Sequence, residues 1–116
     1  MKTFNDNTGR SWTLSVTVGT IKRVRALCGV DLANIITLEA GKQPKVDLLE
    51  RLASDPVLLV DVLYAVCKPE ADAKNITDEE FGRAMAGDAI EFATAALLDE
   101  VIDFFPEAKR QVFRKI

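Results

Sequence analysis

Two hydrophobic periodicities divide the chain. Between Trp12 and Thr17, apolar and polar side chains alternate, which is typical of a strand with one buried face. Phe4 precedes a turn-forming cluster at residues 5–9, so residues 2–17 are predicted to form a β-hairpin. Because an isolated two-stranded hairpin is only marginally stable in water, Trp12 is expected to pack on the rest of the chain or on another chain.

After the hairpin, the apolar positions follow helical spacing. Ile21 and Val24 begin this pattern, and Gly29 is a suitable C-terminal stop for the first helix. A short helical turn is predicted for residues 31–36, with its first residue, an aspartate, as the cap. A further helix is predicted for residues 46–53.

The most apolar segment is predicted to be a central helix. Asp55 and Pro56 are a start signal, because Asp caps helices and Pro suits their first turn. The residues that follow are apolar nearly all round, which is typical of a helix in the middle of a bundle. Pro69 is expected to end this helix at Lys68, leaving residues 70–76 as a polar loop.

A second central helix is predicted towards the C-terminus. Thr77 followed by Glu80 is a capping box that opens a short helix, and a longer helix is predicted for residues 88–105. The longer helix combines a narrow polar stripe with a broad apolar face, so we expect it beside the first central helix. Pro106 ends it, and residues 107–116 are predicted to be a final amphipathic segment.

These elements predict a mainly α fold of the α+β class, in which an N-terminal β-hairpin is followed by a small bundle of four to six helices. The length of 116 residues fits one domain, with the hairpin at residues 1–17 and the helical body at residues 18–116. With 48% hydrophobic residues, the chain can build a hydrophobic core.

The composition argues against catalysis. Histidine is absent, which removes the usual general base at neutral pH and most catalytic zinc sites. Cys28 and Cys67 match no zinc or redox spacing and lie in apolar stretches, so we expect reduced, structural thiols in a cytoplasm.

The N-terminal residues lack the apolar run of a signal peptide, and residues 57–67 are too short to span a bilayer. No cofactor or metal is expected.

The charged clusters have structural explanations. Asp61, the one charge inside the most apolar helix, is interpreted as part of a thin solvent-facing stripe or as the partner of an arginine of the same chain. Residues 78–80 are interpreted as carboxylates that favour a helix N-terminus. Basic residues cluster at residues 22–25 and 109–115, but they match no zinc-finger, basic-zipper or RNP pattern. The net charge of −3 also gives no general attraction to nucleic acid or to an anionic membrane.

Three segments carry a resemblance to a known family. They are FNDNTGRSWTLSVTVGTIKRVRALCGVDL, LLERLASDPVLLVDVLYAVCKP and TDEEFGRAMAGDAIEFATAALLDEVIDFFP. Their order of a short β start, a helical body, a TDEEF helix opening and a long final helix resembles the tail assembly chaperones of long-tailed phages and prophages. The resemblance covers about residues 4–106. It implies a non-enzymatic protein that binds the tape measure protein before the tail tube polymerises around it, in the cytoplasm of the host cell.

A chaperone for a long helical client needs apolar grooves and a charged exterior, and client helices would dock through apolar anchors at helical spacing. The family motifs map no contact residues, so the candidates come from the large apolar side chains of this sequence. They are Trp12, Leu14, Phe92, Phe104 and Phe105. The surplus of such side chains and the unpaired hairpin edge also predict self-association.

Two other hypotheses about function remain open. Residues 21–36 could supply a helix-turn-helix around Gly29, which would make the protein a small DNA-associated regulator. An enzyme could use carboxylates alone, such as Asp61 with Asp99 or Asp103. The acidic balance argues against the first reading, and the absence of histidine and of a metal motif argues against the second.

Overall fold

The computed structural model of this chain describes residues 1–35, 37, 41–107 and 110–111. Strands β1 (Lys2–Asn5) and β2 (Ser11–Leu14) form an antiparallel hairpin. Five α-helices follow within the described residues: α1 (Val18–Cys28), α2 (Asp47–Ser54), α3 (Pro56–Ala73), α4 (Asp78–Ala84) and α5 (Asp88–Phe104). The predicted mainly helical fold with an N-terminal hairpin is therefore confirmed.

Asp6 holds the hairpin turn together. Its carboxylate accepts hydrogen bonds from the Thr8 main-chain N–H at 2.9 Å and from the Arg10 main-chain N–H at 3.0 Å. The same carboxylate accepts the indole N–H of Trp12 at 2.9 Å. The turn and the anchoring side chain of β2 are thus tied to one buried acid, which satisfies the polar end of a buried tryptophan.

The hairpin packs on the helical body through its apolar face. Phe4, Trp12 and Leu14 are buried, and Trp12 meets the ring of Phe81 on α4 edge to face, with 5.0 Å between the ring centroids. Tyr64 on α3 contacts the other side of Phe81 at 5.5 Å. The predicted packing of Trp12 on the body is confirmed.

Local signals place most helix ends. Thr17 caps α1, and Gly29 ends it with a φ of 70°, a left-handed conformation that favours glycine. Asp31 caps a short 3₁₀ turn at Leu32–Asn34, while Asp55 and Thr77 cap α3 and α4. Of the predicted final amphipathic segment, residues 108–109 and 112–116 lie outside the described residues.

The predicted end of α3 was wrong. The helix continues through Pro69 to Ala73, and residues 70–73 are helical where a polar loop was predicted. Proline has no N–H to donate to the carbonyl four residues earlier, so the Ala65 carbonyl lacks its helical donor. Arg23 of α1 supplies the replacement, since its Nε donates to Ala65 O at 2.6 Å and its Nη2 to Val66 O at 3.1 Å. A side chain from another helix thus stabilises the helix past its proline.

Candidate functional site

Helix α5 lies between two surface grooves. The first, which we call the α2–α5 groove, has a volume of about 500 Å³ and separates α5 from α2 and the start of α3. The second, the β1–α5 groove, has a volume of about 740 Å³ and runs between the outer edge of the hairpin and α5. Both are open to solvent, so each is a candidate surface for a macromolecular partner.

The α2–α5 groove is mainly apolar. It is lined by Leu52, Ala53, Pro56, Leu59, Ile90, Glu91, Thr94, Ala95 and Leu98. A smaller cavity of about 110 Å³ shares several of these residues and adds Leu49 and Leu97. Among the described lining residues, Glu91 is the charged one, and it is exposed. An apolar floor with an acidic rim suits the apolar face of an amphipathic helix with cationic flanks.

The helix side chains that build this groove follow from local spacing. Ile90, Thr94 and Leu98 are four residues apart on α5, so they form one stripe on its surface. The Thr94 hydroxyl donates a hydrogen bond to the Ile90 carbonyl at 2.6 Å, so this polar group is already satisfied within α5. Sequence reasoning named none of these three as partner contacts, although the four-residue spacing was available as a signal.

The five predicted partner-binding residues do not form one surface. Trp12 and Leu14 are fully buried, and Phe105 is 6% exposed. Phe104 is partly buried and contacts Phe105 edge to face at 5.7 Å between ring centroids. Phe92 is 61% exposed and lines the β1–α5 groove. Within the folded chain, Phe92 is therefore the candidate that a partner reaches most directly.

The two cysteines are free, with Cys67 buried and Cys28 partly buried. Burial, followed by the charge of Glu70, raises the pKa of the Cys67 thiol to about 12. Burial, followed by the charge of Asp61, also raises the pKa of Cys28. A raised pKa lowers the thiolate fraction at neutral pH, which fits the predicted structural role of both thiols.

The acidic residues are dispersed. Asp61 is exposed on α3, as predicted, and Asp78, Glu79 and Glu80 occupy the first turn of α4. Glu100 is buried on α5 and contacts the N-terminal amine. Within the described residues, no group of three or more Asp, Glu, Cys and His side chains is placed to hold a metal ion.

The two arginines of α1 have partners in the chain, while Lys22 is exposed. Arg23 is turned onto the α3 carbonyls, and Arg25 pairs with Asp31 at 2.8 Å. After Gly29, the described residues form a 3₁₀ turn of three residues in place of the second helix that a helix-turn-helix needs. The cluster at residues 109–115 falls mostly outside the described residues.

No described helix combines the length and the hydrophobicity that crossing a membrane requires. Comparisons of the chain with protein-family models, with curated proteins and with solved structures find no match.

Proposed function

We propose that this protein is a non-enzymatic tail assembly chaperone of a long-tailed phage or prophage, and that it binds a helical segment of the tape measure protein in the α2–α5 groove. The observation that carries the proposal is the groove itself, an apolar channel of about 500 Å³ bordered by helices. The space between two helices is the shape that a third helix fills by packing its side-chain ridges between theirs.

The chemistry of the groove defines the client segment. Leu52, Leu59 and Leu98 offer apolar contacts to anchors spaced three and four residues apart on one face of a helix. Glu91 at the rim favours Lys or Arg beside those anchors, and the net charge of −3 adds a weak general attraction for a basic segment. The sequence resemblance to tail assembly chaperones names the tape measure protein as that client.

Co-expression with fragments of the tape measure protein from the same genome, followed by pull-down, tests the proposal. A fragment that forms an amphipathic helix should be retained and should become more soluble. Retention should survive a rise in salt from about 50 to about 200 mM, because apolar contacts depend little on salt whereas phosphate contacts weaken steeply. If no fragment is retained and duplex DNA is retained in its place, the chaperone hypothesis is wrong and the hypothesis of a small DNA-associated regulator replaces it.

One pair of variants separates the groove from the rest of the surface. Ala53 lines the groove and is exposed, so Ala53→Arg should keep the fold and weaken retention by about tenfold or more. Leu27 is 55% exposed on α1 and does not line the groove, so Leu27→Arg is the matched control. Equal retention by both variants, each with a native circular dichroism spectrum, would show that the client binds elsewhere.

A further inference from the structure

One edge of the hairpin is covered by α3. The Thr13 main-chain N–H on β2 donates to the Glu70 carboxylate at 2.9 Å, and the Ser11 carbonyl accepts from Lys74 Nζ at 2.7 Å. Glu70 and Lys74 are also joined by an ion pair at 3.0 Å. Two of the outward main-chain groups of β2 are therefore occupied by side chains of this chain.

The opposite edge has no such cover. Thr3 pairs with Thr13 and Asn5 pairs with Ser11 in the antiparallel register. In an antiparallel ladder, paired residues point their main-chain groups either both inward or both outward. Since those of Thr13 and Ser11 point outward, the N–H and C=O groups of Thr3 and Asn5 point outward too. Both residues are exposed, and no hydrogen bond from another described residue reaches these groups.

The open edge borders the β1–α5 groove, which has Asp88 at one end and Lys2 together with Asp99 at the other. Asn7 N–H donates to the Ala84 carbonyl at 2.9 Å, which places the end of β1 beside the start of α5, where Asp88 is exposed. Lys2 lines the other end of the groove. It lies on the same strand face as Phe4, two residues away, and this face is turned towards α5.

We propose that β1 of a second copy of this chain pairs antiparallel with β1, around a two-fold axis at Phe4, to form a four-stranded sheet across a dimer. This register places Thr3 of each copy opposite Asn5 of the other, and their outward groups then form two reciprocal pairs of main-chain hydrogen bonds. It also brings Lys2 of each copy to the end of the groove where Asp88 of the other lies.

Four features favour a second copy as the occupant. The strand is complementary to itself in hydrogen bonding at this register, and Lys2 of each copy approaches Asp88 of the other when the copies run antiparallel. Phe92, 61% exposed on the same groove, loses exposed apolar surface when the groove is filled. The Glu70 and Lys74 cover on the other edge stops further strand addition, so the assembly closes at two copies.

Sedimentation equilibrium from about 10 µM to about 1 mM should show a monomer–dimer equilibrium in the wild-type chain. Thr3→Pro removes an N–H that the hairpin itself does not use, so the variant should fold normally and dissociate at least about tenfold more readily. A wild-type chain that stays monomeric throughout would overturn the proposal. A natively folded Thr3→Pro variant that dimerises as tightly as wild type would also overturn it.

A charge exchange provides a second test that does not alter the backbone. Lys2→Glu should weaken the dimer by about tenfold, because it places a carboxylate beside Asp88 of the other copy. The two-fold axis repeats this like-charge contact, so it occurs twice in each dimer. Asp88→Lys should weaken it similarly, and the double variant should restore it towards wild type. Strict additivity of the two losses would contradict the predicted register.

Amide hydrogen exchange distinguishes this edge from the rest of the hairpin. The amides of Thr3 and Asn5 should exchange quickly in dilute protein and become protected at high concentration. The Phe4 amide faces β2 and is the internal control, since it should be protected at both concentrations. If Thr3 and Asn5 are protected only when a client fragment is added, the edge belongs to the client and the dimer is rejected.

Discussion

The two edges of the hairpin are built from the same kind of strand, but the surrounding chain treats them differently. On β2, Glu70 binds the outward N–H of Thr13 and Lys74 binds the outward carbonyl of Ser11. On β1, the corresponding groups of Thr3 face a groove. Long-range side chains therefore decide which edge is available for pairing. The length of α3 is the cause, because both covering residues lie beyond its proline.

The covered edge thus depends on an interaction far from it. Pro69 would ordinarily leave a carbonyl of α3 unpaired, and Arg23 of α1 donates to that carbonyl. With the helix maintained, Glu70 and Lys74 reach β2. The open edge has no equivalent support, since α5 presents Asp88, Phe92, Asp99 and alanines to the groove and, among the described residues, none of these side chains is hydrogen-bonded to the β1 main chain.

Removing Trp12, which anchors the whole hairpin to the helical body, should cause the largest loss of stability. Trp12 is fully buried, meets Phe81 edge to face and donates to Asp6, so Trp12→Ala should lower the free energy of unfolding by about 3–5 kcal/mol. Urea denaturation measures it. Ser11→Ala, at an exposed side chain of the same strand, is the control, with an expected change below about 0.5 kcal/mol. A loss below about 1 kcal/mol for Trp12→Ala would mean that the hairpin does not depend on this anchor.

The next largest loss of stability should come from removing Arg23, which supports the part of α3 that covers the β2 edge. Arg23→Ala leaves the Ala65 carbonyl without a donor, which should cost about 1–3 kcal/mol. In a Pro69→Ala background, residue 69 regains an N–H for that carbonyl, so the same Arg23→Ala change should cost clearly less. A double-mutant cycle by urea denaturation checks this coupling, and additive free energies would contradict the role given to Arg23.

The hairpin turn should make stability depend on pH through Asp6. Burial acts to raise the pKa of Asp6, but hydrogen bonds from Thr8, Trp12 and Arg10 outweigh it and hold the pKa below its ordinary value of 3.8. A carboxyl whose folded pKa is lowered stabilises the fold above its unfolded pKa, and this contribution is lost as the pH falls through the folded pKa.

Asp6→Asn should therefore lower the free energy of unfolding by about 1–2 kcal/mol at pH 7. The gap between variant and wild type should narrow as the pH falls below about 4. Urea denaturation at several pH values measures the gap. Asp61→Asn, at an exposed carboxyl, serves as the control. A gap that is the same at all pH values would exclude a carboxylate-specific role for Asp6.

The smallest loss of stability should come from removing the side chain that covers the β2 edge. Glu70→Ala removes the acceptor of the Thr13 N–H and should cost about 0.5–1.5 kcal/mol. Glu70→Gln keeps a carbonyl oxygen at that position and should retain most of the stability. The Thr13 amide should exchange faster only in the alanine variant, approaching the rate of Thr3 in dilute protein. Equal exchange of Thr13 in both variants would mean that the edge is covered by something other than Glu70.

Short-range signals in the sequence predicted much of the architecture. The alternation around Trp12, the caps at Asp31, Asp55 and Thr77, and the stop at Gly29 all depend on a few consecutive residues and their own main chain. Those features formed as predicted. The two apolar helices were also predictable, because a helix that is apolar on most sides has to be covered by its neighbours.

Tertiary structure alone decided where those signals are overridden and which apolar residues stay outside. Pro69 is a local stop signal, yet α3 passes it because Arg23, 46 positions away in the sequence, supplies the missing donor. Phe105 and Phe92 are the same residue type on or next to one helix, but the first is 6% exposed and the second 61% exposed. The reason is physical: main-chain capping depends on neighbours in sequence, whereas the burial of a side chain and the cover of a strand edge depend on neighbours in space.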